Sequence, residues 1–194
     1  VVIGLGYVGL PLALAFSREF PTTGFDTDAS RIEELLAGVD RNNELTGSEL
    51  ISSNLFLTKD SSCISDAEFI VVTVPTPVTQ NHVPDLSMLR SASQLIGARL
   101  RERPRKLPRP IVVFESTTYP GCCAEVLKPL LEKNGLVSGE DFYLAYSPER
   151  EDPGNHKYVT SNIPKVVGAD GPKALELALA LYDQIVVQTI PVTS

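Results

Sequence analysis

Val1-Val2-Ile3-Gly4-Leu5-Gly6-Tyr7-Val8-Gly9-Leu10-Pro11-Leu12 is the stretch that decides the fold. A β-branched run, a turn with three glycines and an apolar helix with Pro11 in its first turn follow one another without a spacer. The glycines answer separate demands: one makes the tight turn, one lets the backbone approach a pyrophosphate, and one lets helix and strand pack closely. The helix start then offers free N–H groups and a partial positive charge to an anion. Gly24-Phe25-Asp26 closes the next strand 17 residues after Gly9, near the roughly 20-residue offset at which an acid takes the hydroxyls of an adenosine ribose. Strand, turn, helix, strand and acid in this order predict a dinucleotide site built on Gly4, Gly6, Tyr7, Val8, Gly9 and Asp26. A carboxylate at position 26 repels a 2′-phosphate and accepts from a free 2′-hydroxyl, so NAD is expected over NADP. Arg31 either touches the cofactor or pairs on the helix surface with Glu34 or Asp28.

Outward from this turn the pattern repeats. Short apolar runs at residues 1–3, 69–74, 111–114, 142–146 and 185–187 read as strands, with weaker ones at 23–25, 55–57 and 165–167. Helical periodicity lies between them at 10–20, 29–37, 87–100, 124–134 and 172–182, with Asp85 and Ser87 as caps for the third and Gly135 as the stop of the fourth. Continuous apolar strands alternating with amphipathic helices predict an α/β fold, a doubly wound, mostly parallel Rossmann-type sheet with helices on both faces. The segment 151–164 reads as the longest loop.

Composition narrows the function. A chain of 194 residues with 43% hydrophobic content is long enough for one core. The net charge of −7 and the proline-broken basic cluster at 99–109, read as a solvated loop, argue against nucleic acid. No apolar run reaches membrane-helix length and no leader precedes the first strand, so a soluble, cytoplasmic protein is expected. Cys63, Cys122 and Cys123 cannot all pair among themselves and fit reduced thiols. His82 and His156 lack partners at ligand spacing, so no metal is expected.

In an open α/β sheet the ligand lies beyond the carboxyl ends of the strands. Three segments there stand out. Pro75-Thr76-Pro77 is a rigid turn lacking two backbone donors. Glu115-Ser116-Thr117-Thr118-Tyr119-Pro120-Gly121 carries three hydroxyls in succession, and Ser147-Pro148-Glu149-Arg150-Glu151-Asp152-Pro153-Gly154 is dense in charge. Each alone could be a strand stop, a helix cap or a solvated loop; on neighbouring strand ends they read as one site, with Pro75, Thr76, Ser116 and Thr117 toward the cofactor.

These residues resemble a known family. Gly4 to Leu12 (GLGYVGLPL), Gly24-Phe25-Asp26, Val74 to Pro77 (VPTP), Glu115 to Gly121 (ESTTYPG) and Tyr146 to Asn155 (YSPEREDPGN) look like the N-terminal domain of the UDP-glucose/GDP-mannose dehydrogenases. The resemblance runs in order over essentially the whole chain, and the SPER-x-x-PG form is most similar to the branch acting on UDP-N-acetylhexosamines, UDP-N-acetylglucosamine above all. It implies oxidation of a sugar C6 hydroxyl through an aldehyde to a carboxylate, with two NAD and one water. By motif position it implies that Thr117 helps place that water, that Glu149 is the acid of the hydrolytic step, and that Arg150 lies with Glu149 on the sugar-nucleotide side.

The resemblance has gaps. Where the UDP-glucose branch has a second glutamate four residues after the first, this chain has Pro153. The family's nucleophilic cysteine and active-site lysine are expected beyond Ser194. So are the central helix, the C-terminal domain that would hold most of the UDP-sugar, and the surfaces of a homo-oligomer, leaving residues 1–194 as the NAD-binding domain, inactive alone. Cys122 and Cys123 follow Gly121 at a helix start, where a thiol can be activated, but the family pattern favours small or hydroxyl side chains there. Two rivals are a single-oxidation hydroxyacid dehydrogenase, which the SPER segment disfavours, and a regulatory NAD-binding module, which would need a closing helix.

Overall fold

A computed structural model describes residues 1–149 and 162–193. Its centre is one eight-stranded sheet in the order β3-β2-β1-β4-β5-β6-β7-β8. The strands are β1 (Val2–Ile3), β2 (Thr23–Phe25), β3 (Phe56–Thr58), β4 (Phe69–Val72), β5 (Ile111–Phe114), β6 (Tyr143–Tyr146), β7 (Lys165–Ala169) and β8 (Thr189–Pro191). All neighbours are parallel except β6 and β7, which pair antiparallel through Ala145 with Ala169 and Tyr146 with Gly168. The order reverses between β1 and β4, opening a crevice at their carboxyl ends.

Both faces of the sheet are covered, and the central strands show how. Val71, Ile111 and Val113 enter one core with helix α1 (Gly9–Glu19), α2 (Ala29–Leu36) and α7 (Pro172–Tyr182). Ile70, Val72, Val112 and Phe114 enter the other, with α5 (Ser87–Arg101) and α6 (Lys128–Glu132). Successive side chains point to opposite faces, so a strand buried on both sides must be apolar throughout. Each such side chain contributes about 1.5–3 kcal/mol, which places the sheet's centre at β4 and β5, where all but Phe69 are buried. Helix α1 stops at Phe20, whose backbone is extended before Pro21, as the ring of a following proline requires.

Several expected elements differ. Residues 185–187 form a turn: Ile185 and Val186 N–H both bond the Tyr182 carbonyl at 2.9 and 3.0 Å, and Val186 plugs the core. The strand comes later, as β8. A three-residue apolar run serves a helix-closing turn as well as a strand, and periodicity cannot separate them. The helix expected at 124–134 is a π-turn, Cys123–Leu127, leading into α6. Pro129 in the first turn of α6 has no N–H to give to the carbonyl four residues back, so the backbone widens there. Leu86, not Asp85 or Ser87, occupies the N-cap of α5; Asp85 instead accepts from the Ser87 N–H at 2.9 Å.

Two short helices were not foreseen, α3 (Gly47–Ser52) and α4 (Cys63–Asp66). The first carries a reciprocal capping box between Thr46 and Glu49. The basic cluster is also more than a solvated loop. Arg99 and Arg101 belong to α5, and half-buried Arg103 donates to the carbonyls of Ser65 and Ala67 at 2.8 Å. Among the described residues no helix is long and apolar enough to cross a membrane.

Candidate functional site

The glycine turn divides its labour among its three glycines. Gly4 has φ +92°, a conformation L side chains rarely adopt. A Cβ on Gly9 would lie 1.8 Å from the Gly4 carbonyl oxygen and 2.3 Å from Thr73 Oγ1, so only glycine lets α1 start this close to the strand. A Cβ on Gly6 would meet nothing within 4 Å among the described residues. Gly6 is thus free of any packing demand from the protein itself, and its open side borders the groove. Tyr7 is exposed and Val8 half-buried at the helix start, where among the described residues no side chain caps α1. Thr73 pins the turn from β4, its hydroxyl lying 3.0 and 2.8 Å from the carbonyl oxygens of Ile3 and Gly4.

Leu5 is held from two sides. Asp26 Oδ2 accepts its N–H at 2.8 Å, and Arg31 Nε donates to its carbonyl at 2.8 Å. Asp26 Oδ1 accepts from the Asp28 N–H at 2.9 Å. Arg31 therefore does not pair with Glu34 or Asp28. It is buried and bonds Asp40 at 2.7 Å, while Arg41 takes Glu34 and Asp28. The Asp40 carboxyl sits in an apolar setting that works against its charge, yet Arg31 and three backbone N–H groups outweigh burial and hold it below the usual range. Asp40 was missed because its nine-residue distance from Arg31 follows no helical spacing.

A groove of about 620 Å³ runs along this edge, lined by Gly4, Gly6, Asp26, Arg31, Pro75 and Met88 among others. Two polar atoms in this region are buried without a hydrogen-bond partner among the described residues, Arg31 Nη1 and Thr76 Oγ1. Buried donors of this kind are rare without a missing partner. With the open side of Gly6 they fit a ligand rich in oxygen acceptors, and these residues suit a dinucleotide.

The second half of the site lies at the ends of β5 and β6. Ser116 is buried and donates to the Val74 carbonyl at 2.6 Å, joining this loop to the Pro75 turn; Thr117 beside it is exposed. Glu149 is 13% exposed, with Lys165 Nζ 3.6 Å from its Oε2. Arg150, together with Pro153, lies outside the described residues.

Behind Glu149 is a cluster the sequence reading did not assemble. Glu115 is fully buried; its Oε2 accepts from Lys165 Nζ at 2.8 Å and its Oε1 from the Tyr182 hydroxyl. Burial pushes Glu115 up to about 7; Lys165 opposes that rise, and the neighbouring Glu149 adds to it. Burial works against the Lys165 charge, but Glu115 and Glu149 outweigh it and raise its pKa. Topology makes this meeting possible. Because β7 runs antiparallel, its first residue, Lys165, lies at the carboxyl ends of β5 and β6, and α7 returns Tyr182 to the same edge. A lysine opening an otherwise apolar strand was the one available signal.

The cysteines stand apart from this chemistry. All three are free, and burial raises Cys122 and carries Cys123 up to about 12, which leaves both as thiols. Among the described residues no group of His, Cys, Asp or Glu could hold a metal ion.

The sheet order, the glycine turn and the strand-end acid define a Rossmann-type dinucleotide-binding domain. More particularly, the chain belongs to the UDP-glucose/GDP-mannose dehydrogenase family, whose NAD binding domain matches residues 1–186. It is 41% identical to protein CapL of Staphylococcus aureus over 186 residues, covering 95% of this chain and 42% of that protein. It is 41% identical to UDP-N-acetyl-D-glucosamine 6-dehydrogenase of Salmonella typhi over 187 residues, covering 95% and 43%. The solved structure of a UDP-D-ManNAc dehydrogenase from Pyrococcus horikoshii superposes with a TM-score of 0.86 at 29% identity, over all of this chain and 47% of that one. The chain thus spans less than half the length of the curated relatives it matches.

Proposed function

We propose that this chain is the cofactor-holding part of a nucleotide-sugar 6-dehydrogenase that converts a UDP-N-acetylhexosamine to its uronate. The observation that carries the reading is the glycine turn with Asp26 at its side and a protein-free face at Gly6, at the crevice where the strand order reverses. Its likeness to the Salmonella typhi enzyme supports the UDP-N-acetylglucosamine branch. Gly4, Gly6, Tyr7, Val8 and Gly9 would cradle the pyrophosphate, Asp26 and Arg31 the adenosine ribose, and Pro75, Thr76, Ser116 and Thr117 the nicotinamide half. NAD, when bound, supplies the hydride acceptor for both oxidations.

The chain's own residues divide the remaining work. The exposed Thr117 hydroxyl positions water, and Glu149, beyond the end of the neighbouring strand, moves the proton that hydrolysis requires. Arg150 would meet the sugar nucleotide. The nucleophilic thiol and the active-site lysine belong to a further part of the protein, which would also hold most of the UDP moiety. Free thiols throughout support a reducing, cytoplasmic setting.

Calorimetry of the chain with NAD, NADP and a UDP-sugar tests the assignment. Measurable NAD binding, NADP binding weaker by about tenfold or more, and little UDP-sugar binding are expected. Tight UDP-sugar binding by this chain alone would contradict the division of the site.

A further inference from the structure

Two carboxyl groups, one ammonium and one phenol meet at the end of β5. Glu115 is held rigidly, because its own N–H bonds the Val72 carbonyl at 2.9 Å and extends the sheet ladder one residue past the strand. Its two oxygens take Lys165 at 2.8 Å and the Tyr182 hydroxyl. Glu149 Oε2 lies 3.6 Å from the same Lys165 ammonium, so the two carboxyl groups share one cation. Lys165 is 5% exposed in its side chain and lies 5.1 Å from the centre of the Tyr182 ring.

The charges do not balance if both carboxyls ionise. One cation faces two carboxylates out of water, and two like charges in contact at low dielectric cannot both ionise at the ordinary pH. We propose that Glu115, Lys165 and Tyr182 are positioning residues behind Glu149, a buried assembly in which the two carboxyl groups drawn to one ammonium hold one proton between them and exchange it. This rests on the reading of Glu149 as the acid of hydrolysis. When Glu149 gives up the shared proton the pair is left without one, and the next proton that Glu149 takes from water can pass to Glu115. Lys165 stays charged and Tyr182 keeps its hydrogen throughout. Glu115 never touches the crevice, so the reserve proton is shielded from solvent.

The titratable groups facing Glu115 among the described residues are Lys165 from β7, Tyr182 from α7 and Glu149 from the loop after β6, with the Ser147 hydroxyl beside Tyr182. They make the proposal testable by carbon-13 NMR titration of glutamate side-chain carboxyls in the full chain, which needs no ligand. In the unaltered chain the pair should release its protons in two separated steps, the upper at about 7. In Glu149→Gln, Glu115 is left with Lys165 and Tyr182 alone, and its titration should fall by about one pH unit or more. In Glu115→Gln the upper step should vanish and a single lower step remain. A Glu115 curve unmoved by Glu149→Gln would show that burial alone sets it, and an upper step surviving Glu115→Gln would place it elsewhere; either overturns the proposal. NAD calorimetry is independent of this titration, so failure of the functional reading and failure of the shared proton are told apart.

Discussion

The glycine turn and the Glu115 cluster lie at one edge of the same sheet and are built by opposite means. The turn is open, made from backbone and from residues close in sequence, and its specificity comes from what is absent: no Cβ at Gly6 and, among the described residues, no partner for Arg31 Nη1. The cluster is closed and made from side chains, drawn from positions 115, 149, 165 and 182, and both carboxyl oxygens of Glu115 have a donor. Where the turn faces the groove, at Gly6, it can be altered at little cost to folding and great cost to binding. A closed region reverses that balance.

Lys165→Met is expected to have the largest effect. Removing the ammonium leaves buried carboxyl groups without their cation, at a cost of about 3–5 kcal/mol, read as a lowered denaturation midpoint; Lys165→Arg should recover much of it. Gly9→Ala comes next, since its Cβ would overlap the Gly4 carbonyl. Overpacking there should cost about 1–3 kcal/mol of stability, measured by urea unfolding. Asp26→Ala should lose about 1–3 kcal/mol of NAD affinity in calorimetry, and an unchanged affinity would remove it from the site.

A pH series sharpens the contrast from the other side. Glu115 titrates at about 7 in the fold against an ordinary 4.5, so between those values the native state holds more protons than the unfolded one. Stability should therefore decline as pH climbs from about 4.5 through 7, and the decline should flatten in Glu115→Gln. Gly6→Ala is the smallest perturbation of the fold, within about 0.5 kcal/mol, because nothing stands where its methyl would go. Its NAD affinity should nevertheless drop about tenfold or more. Equal losses of stability and affinity at Gly6 would erase the distinction between the two regions.

The same distinction explains what could be read from sequence. The turn was legible because its parts are local: three glycines, a helix and Asp26 fall within one βαβ unit, and both β5 and α7 stand where the apolar pattern put them. Arg31 was legible only as a candidate, since its partner Asp40 lies in an irregular segment without period. The run at 185–187 misled because three apolar residues can close a helix by filling a core gap, as Val186 does. The Glu115 cluster stayed hidden for a topological reason. Its members meet only because β7 reverses direction, and no local pattern announces a reversed strand.

The two-sided hold on Leu5 has a kinetic consequence. With its amide fixed by Asp26 and its carbonyl by Arg31, the loop that greets the cofactor is shaped when the protein folds, and docking has little left to order. Preorganisation of this kind conserves affinity that a floppy loop would lose to entropy. Capture of NAD should then approach the encounter rate, with no slow rearrangement phase following it in a stopped-flow trace.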